Sequence, residues 1–444
     1  MMNRSPMTDS WYVSNFQLME KHLNGEAGTH IHSIRKDAIS RFAQLGFPTT
    51  RDEEWKFTNV APIAKMNFKP VLDLSHDGVT KEDVERFSFG GLRCTRLVFV
   101  NGHFSQELSS LGSLPQWAKA GSLAAALKTD ADAVSEHLTR YARYDDNAFT
   151  ALNTAFLQDG AFVYIPDGKV IEGPIHLLFI STKLGTPFLS NPRNLVLAGE
   201  NSQVMIVESF VSLDDNSYLT NAVTEIVAGD NAVVEHDKLQ AESAKAFHIG
   251  TVHVYQRANS TYTSNSISLG GALVRNNITV VLDGEGIECT LNGLSLSTDE
   301  QHVDNHTVID HAKPHCNSHE LYKSILDGRS KAVFNGKIFV RKDAQKTNAK
   351  QTNKTLLLSD NATIDTKPQL EIFANDVKCT HGATVGRLDE EQLFYLRSRG
   401  LSLNHARDVL TFAFASDIIN RVHVEPLRSQ LEGMIHARLQ QGRH

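Results

Sequence analysis

At 444 residues the chain is too long for one small core, and two or three structural units are expected. Hydrophobic residues at 41% and charged residues at 21% are ordinary globular composition, which excludes disordered and fibrous classes. A formal net charge of −7 disfavours a general nucleic-acid binder, which would carry a basic stripe.

Ser10 to Asn24 reads as a short helix, and His30 to Leu45 as a second one. The second carries Ile31, Ile34, Ala38, Ile39, Phe42 and Leu45 at helical spacing. Gly46 fits its C-terminal stop, with Pro48 just beyond. Asp52-Glu53-Glu54 reads as the acidic first turn of another helix. Thr95 to His103 reads as a strand reaching an Asn-Gly turn. Ala131 to Leu157 is predicted to be helical.

From about residue 160 the chain changes character. Short β-rich runs, such as Ile175 to Ile180, Val252 to Tyr255 and Val333 to Val340, alternate with turns. One turn pattern recurs as Leu197-Ala-Gly-Glu-Asn201, Val227-Ala-Gly-Asp-Asn231, Leu282-Asp-Gly-Glu285, Leu326-Asp-Gly-Arg329 and Leu358-Ser-Asp-Asn361. Recurrence followed each time by a new apolar run suggests the coils of a solenoid. The irregular spacing leaves a β-sandwich or an up-and-down array open. After Gly386 the chain turns helical again. Gly400 fits a helix C-terminus, Ser402 a cap, and Pro426 the first turn of a last helix. These shifts divide the chain into a mostly helical region over 1–158, a β-rich core over 159–386 and a helical region over 387–444.

Three sets of residues could carry chemistry. Cys379 and His381 stand two apart in a strand-like run, so both side chains leave the same face. Sulfur and nitrogen suit zinc, copper or iron–sulfur species. Asp376 and Glu371 are close in sequence. The second set is His302, His306, His311, His315, Cys316 and His319, whose composition suggests zinc. His311, His315 and Cys316 are its candidate ligands, although the spacing lets only a subset meet. The third is the C-terminal helical stripe, with arginines around apolar anchors. Cys94, Cys289, Cys316 and Cys379 form no CxxC pair, which does not suit a secreted disulfide framework. No apolar run resembles a signal peptide or a membrane span, so a cytoplasmic protein without membrane association is expected. The P-loop, HExxH and G-x-S-x-G patterns are absent, so ATP hydrolysis by a P-loop is not expected.

The run Asp376-Val-Lys-Cys-Thr-His-Gly-Ala-Thr-Val-Gly386, with Leu396-Arg-Ser-Arg-Gly400 after it, resembles the SufB/SufD family of iron–sulfur cluster assembly proteins. So do Gly46-Phe-Pro-Thr-Thr-Arg-Asp-Glu-Glu-Trp-Lys-Phe-Thr58 and His311-Ala-Lys-Pro-His-Cys-Asn-Ser-His-Glu-Leu-Tyr-Lys323. Within the family the match is closer to the SufD branch. SufB proteins carry a cysteine in a Leu-Leu-x-Gly-Asp-x-Cys loop, where this chain has Leu356-Leu-Leu-Ser-Asp-Asn-Ala362.

The resemblance implies a mainly β protein, a right-handed parallel β-helix core flanked by helical regions. It implies a non-catalytic scaffold subunit that pairs with a SufB-like paralogue and binds a SufC-like ABC-type ATPase. His381, and then Cys379, become candidate ligands of iron or a nascent cluster at the SufB interface. No cluster would bind stably to the chain alone, for which a homodimer is left open. Arg397, Arg399, Arg407, Phe414 and Ile418 become candidates for the SufC contact, and removing 388–444 is expected to spare the β core. Two other classes remain to be weighed: a β-helix carbohydrate-active enzyme, and a zinc protein built on the 302–319 histidines.

Overall fold

The computed structural model describes residues 6–22, 28–72, 78–90 and 94–441. Its centre is a parallel β-solenoid. From Ile175 onward, most strands fall alternately into two sheets, which hold 11 and 10 strands. The first sheet runs through Leu219–Ala228, Phe247–Gln256, Leu273–Leu282, His302–His311, Lys331–Val340 and Thr363–Ile372. The second runs through Gln203–Ser212, Val233–Ala241, Thr261–Ser268, Glu288–Ser297, Asn317–Leu326, Asn348–Leu357 and Lys378–Gly386. Neighbours among these strands pair parallel and without slippage, at roughly 26 to 32 residues per coil.

The recurring turn residues form a corner of this solenoid. Asn201, Asn231 and Asn259 adopt φ of 55°, 58° and 55°. Asparagine tolerates this left-handed conformation better than most residues. The N–H of Asn201 donates to Asp230 of the next coil, and that of Asn231 to Ala258, each at 2.8 Å. Corners bonded coil to coil absorb differences in loop length without disturbing register, which is why the spacing in sequence is irregular.

Apolar rows fill the space between the sheets. Phe99, Phe179 and Phe210 stack at 4.7 Å between successive ring centroids, and Val252, Ile278, Leu291 and Phe334 continue the core.

The solenoid's beginning is closed. The strand Thr95–Val100 extends the second sheet and turns at Asn101-Gly102 into the antiparallel strand His103–Ser110. Antiparallel Lys119–Ser122 lies against Ala161–Ile165 at the same end of the first sheet. The far end is open: among the described residues no strand pairs beyond Thr363–Ile372 or Lys378–Gly386.

The N-terminal region covers one outer face. Helices Pro6–His22 and His30–Leu45 place Tyr12, Phe16 and Phe42 in a cluster with Trp55 and Phe149, which reaches Leu219, Ile249 and Leu273 of the first sheet. Asp52-Glu53-Glu54 leads only into a single 3-10 turn, Glu53–Trp55.

The predicted helix from Ala131 to Leu157 is in fact two, Ala131–His137 and Ala148–Ala155. The break has a tertiary cause. The buried Glu225 carboxylate accepts the backbone N–H groups of Thr139, Tyr141 and Ala142 at 2.9 Å each, and the Arg193 guanidinium lies 2.6 Å away. A bare carboxylate in the core would be far costlier than an interrupted helix.

Helices Leu403–Ile419 and Glu425–Gln441 cover the second sheet. Their Ala415, Ile418, Leu427, Leu431 and Ile435 pack on Leu239, Ile267, Leu294 and Ile325. No helix among the described residues is long and apolar enough to cross a membrane.

Candidate functional site at the open end of the solenoid

The last strand, Lys378–Gly386, carries Cys379 and His381 at the solenoid's mouth. Cys379 pairs with Ala349, and His381 with Gln351. Ala349 and Gln351 are buried and face the interior. Alternation along the strand therefore points both Cys379 and His381 toward the mouth of the lumen. Cys379 packs against Ile338, Val340, Ala344 and Ala349, and burial raises its thiol pKa. A thiol raised in this way is mostly protonated at neutral pH and must lose its proton to bind metal. His381 is exposed, so its imidazole is accessible from outside the chain.

The nearby carboxylates do not join them. Glu371 lies 3.1 Å from Lys337, and Asp376 is paired with Lys346. Exposed Ile372, Phe373 and Val385 border the same end.

The 302–319 histidines do not gather. His302, Asp304 and His306 face outward from the first sheet, under the N-terminal region. His302 lies 2.9 Å from the Thr58 hydroxyl, and His306 lies between Asp304 at 3.0 Å and Glu54 at 3.4 Å. The candidate ligands His311, His315 and Cys316 take up separate positions. His311 faces inward, 2.9 Å from Ser318. His315 occupies a left-handed corner at φ 60°. Cys316 is buried, its thiol donating to the Gly284 carbonyl at 3.1 Å. His319 stands on the outer face of the second sheet, in a cleft with Lys350, Asp417 and Arg421. Among the described residues no group of three or more His, Cys, Asp or Glu side chains is placed to hold a metal ion.

The Gly46–Thr58 motif fastens the N-terminal region to the solenoid. Trp55 lies over the Arg275 guanidinium at 3.8 Å, and Arg275 donates to the Glu54 carbonyl and to Asp304, both at 2.7 Å. Thr58 also donates to Asp304, and Glu53 pairs with Lys367. Burial alone would raise the Asp304 pKa, but Arg275 and His306 overcome it and hold the carboxyl well below its usual range. A cleft of about 640 Å³ runs along this seam.

The C-terminal candidates divide. Arg397, Arg399 and Arg407 are exposed. Ile418 is fully buried against the chain's own second sheet, and Phe414 is half-buried with Lys323 4.3 Å from its ring. Those two side chains therefore serve the intramolecular contact, where the sequence had made them candidates for the SufC-like contact. The exposed apolar side chains lie one helix earlier and at the next helix's start: Phe394 at 75% exposure, Tyr395 at 56% and Leu403 at 44%. Helix Glu390–Ser398 buries none of its side chains.

An ionisable cluster inside the solenoid left no mark in the sequence pattern. Lys238 donates to Asn276 at 3.0 Å and lies 2.9 Å from His248 Nε2, while His248 Nδ1 lies 2.7 Å from Glu242. Neutral His248 can thus accept from the lysine and donate to the carboxylate. Burial lowers the Lys238 pKa to about 8, against the opposing pull of Glu208 and Glu242. Glu208 lies 3.2 Å from His236.

A model of the SufBD protein N-terminal region matches residues 7–177, and one of the SUF system FeS cluster assembly SufBD core domain matches 179–414. An iron–sulfur cluster assembly SufBD family protein of Synechocystis is 36% identical, over 94% of this chain and 93% of the relative. The iron–sulfur cluster assembly protein SufD of Escherichia coli is 30% identical, over 95% and 96%. A chloroplastic protein of Arabidopsis thaliana, ABCI7, is 32% identical, over 96% and 90%. With both halves matched in order and relatives aligned nearly end to end, the chain belongs to the SufBD family of the SUF iron–sulfur cluster assembly system.

Proposed function

We propose that this chain is a SufD-type scaffold subunit without turnover of its own. It pairs with a SufB-like paralogue through the open end of its solenoid and holds a SufC-like ATPase through its C-terminal helices. Iron or a nascent cluster is cargo, bound transiently where His381 meets ligands from the paralogue. The observation that carries this reading is the placement of His381, exposed on an edge strand that pairs on one side only, at the solenoid end opposite the antiparallel strands. An edge strand offers its free backbone groups to another strand. An exposed imidazole there reaches a metal only if the rest of the coordination shell comes from outside.

ATPase docking is supported by the exposed Phe394 and Tyr395 with Arg397 and Arg399 alongside, since aromatic and arginine side chains suit interface anchors. Closure of two ATPases would then move the paired solenoids and admit iron at His381. Co-purification with the SufB-like and SufC-like proteins, followed by anaerobic reconstitution, tests the reading. A cluster should form on the complex and not on the isolated chain. A stable stoichiometric cluster on the monodisperse isolated chain would overturn it.

A further inference from the structure

The lumen row behind His381 carries two more polar side chains. Glu320, Gln351 and His381 are successive neighbours in the second sheet, paired in register. Such neighbours stand about 4.8 Å apart with side chains aligned. Glu320 and Gln351 are 3% and 1% exposed. Gln351 Nε2 donates to Glu320 Oε2 at 2.7 Å. Its Oε1 is buried and has no partner among the described residues. An unsatisfied buried acceptor is costly, so a donor is wanted there.

The facing strand makes room for this amide. A Cβ at Gly336 would stand 2.3 Å from Gln351 Nε2 and 2.8 Å from its Cδ, so any side chain there would have to push the amide aside. The amide is thus held from two sides, with its nitrogen committed to the Glu320 strand. Nitrogen and oxygen diverge across a primary amide, and His381 is the neighbour in the row on the side away from Glu320.

We propose that Gln351, tethered by Glu320, is the positioning residue of His381. Its Oε1 accepts the N–H of one ring nitrogen, fixing a single tautomer and turning the other nitrogen's lone pair to the open end. Imidazoles that bind metal usually have their second nitrogen committed in this way, which fixes the ring's orientation and tautomer. The inference rests on His381 being the metal-facing residue, but its geometry can be tested without metal.

The experiment is nitrogen NMR of the full chain, labelled at histidine, at pH about 8.5, where an ordinary imidazole is neutral. His381→Ala assigns the signal. Wild type should show one His381 tautomer. Gln351→Leu should release it to a mixture. A tautomer mixture in wild type overturns the proposal, as does a single tautomer surviving in Gln351→Leu. The wild-type spectrum decides even if a variant fails to fold. Full cluster delivery by His381→Ala would remove the ligand reading while leaving the tautomer result standing.

Discussion

Several residues with the largest structural consequences are buried charges. Glu225 caps three backbone N–H groups and neutralises Arg193, with both side chains fully buried. Glu225→Ala should cost about 3–5 kcal/mol, because it strands a buried guanidinium. Urea unfolding measures this, and a loss below about 1 kcal/mol would mean that water replaces the carboxylate. Protonation offers a second test. Burial holds His176 and His311 neutral and lowers their pKa values to about 3 and about 4. The unfolded chain takes up these protons near pH 6.5. Their contribution is therefore complete above about pH 6.5 and is lost as pH falls toward the folded values. Stability should decline over that window. His176→Gln, which does not titrate, should flatten the decline, and an unchanged slope would contradict it. None of these roles was legible in sequence. Lys238, Glu242 and Glu225 look like any solvated charge, because alternation does not say whether a polar row faces water, a closed lumen or a covering N-terminal region. Cys379 and His381 were legible as a same-face pair because a period of two is local.

Elements were legible where their causes are local. The helix His30–Leu45 has the boundaries its periodicity predicts, and Asn201 and Asn231 mark true left-handed corners. The break between His137 and Ala148 was not legible, because its cause, Glu225, lies more than 80 residues away. The C-terminal helices show the same limit. Their apolar stripe was visible, but whether it meets the chain's own sheet or a partner is a tertiary fact. Ile418 and Leu431 cover Leu294 and Ile325, so removing 388–444 should expose the second sheet and spoil the solenoid, contrary to the sequence-based expectation. A cleaner probe is Phe394→Asp with Tyr395→Asp on the helix that buries nothing. The double variant should unfold within about 0.5 kcal/mol of wild type per site and lose the SufC-like ATPase in co-purification. Retained ATPase would move the dock elsewhere.

The whole molecule is a stack with unlike ends. Antiparallel strands close the first end, whereas two parallel edges and a set of exposed apolar side chains mark the last. Val385, 49% exposed on the final strand, should tolerate aspartate in the isolated chain. Val385→Asp should nonetheless weaken capture of the SufB-like partner and leave ATPase binding unchanged, and undiminished pairing would place the interface away from this end. The central claim is that His381 serves cargo bound between two solenoids and does not hold either one together. Cluster delivery in cells, measured for His381→Ala alongside recovery of the intact complex and with Cys316→Ala as control, tests it most directly. The complex should assemble normally yet deliver little cluster, with Cys316→Ala milder. Full complementation by His381→Ala would contradict it, and so would a loss of activity arising only because the complex no longer forms.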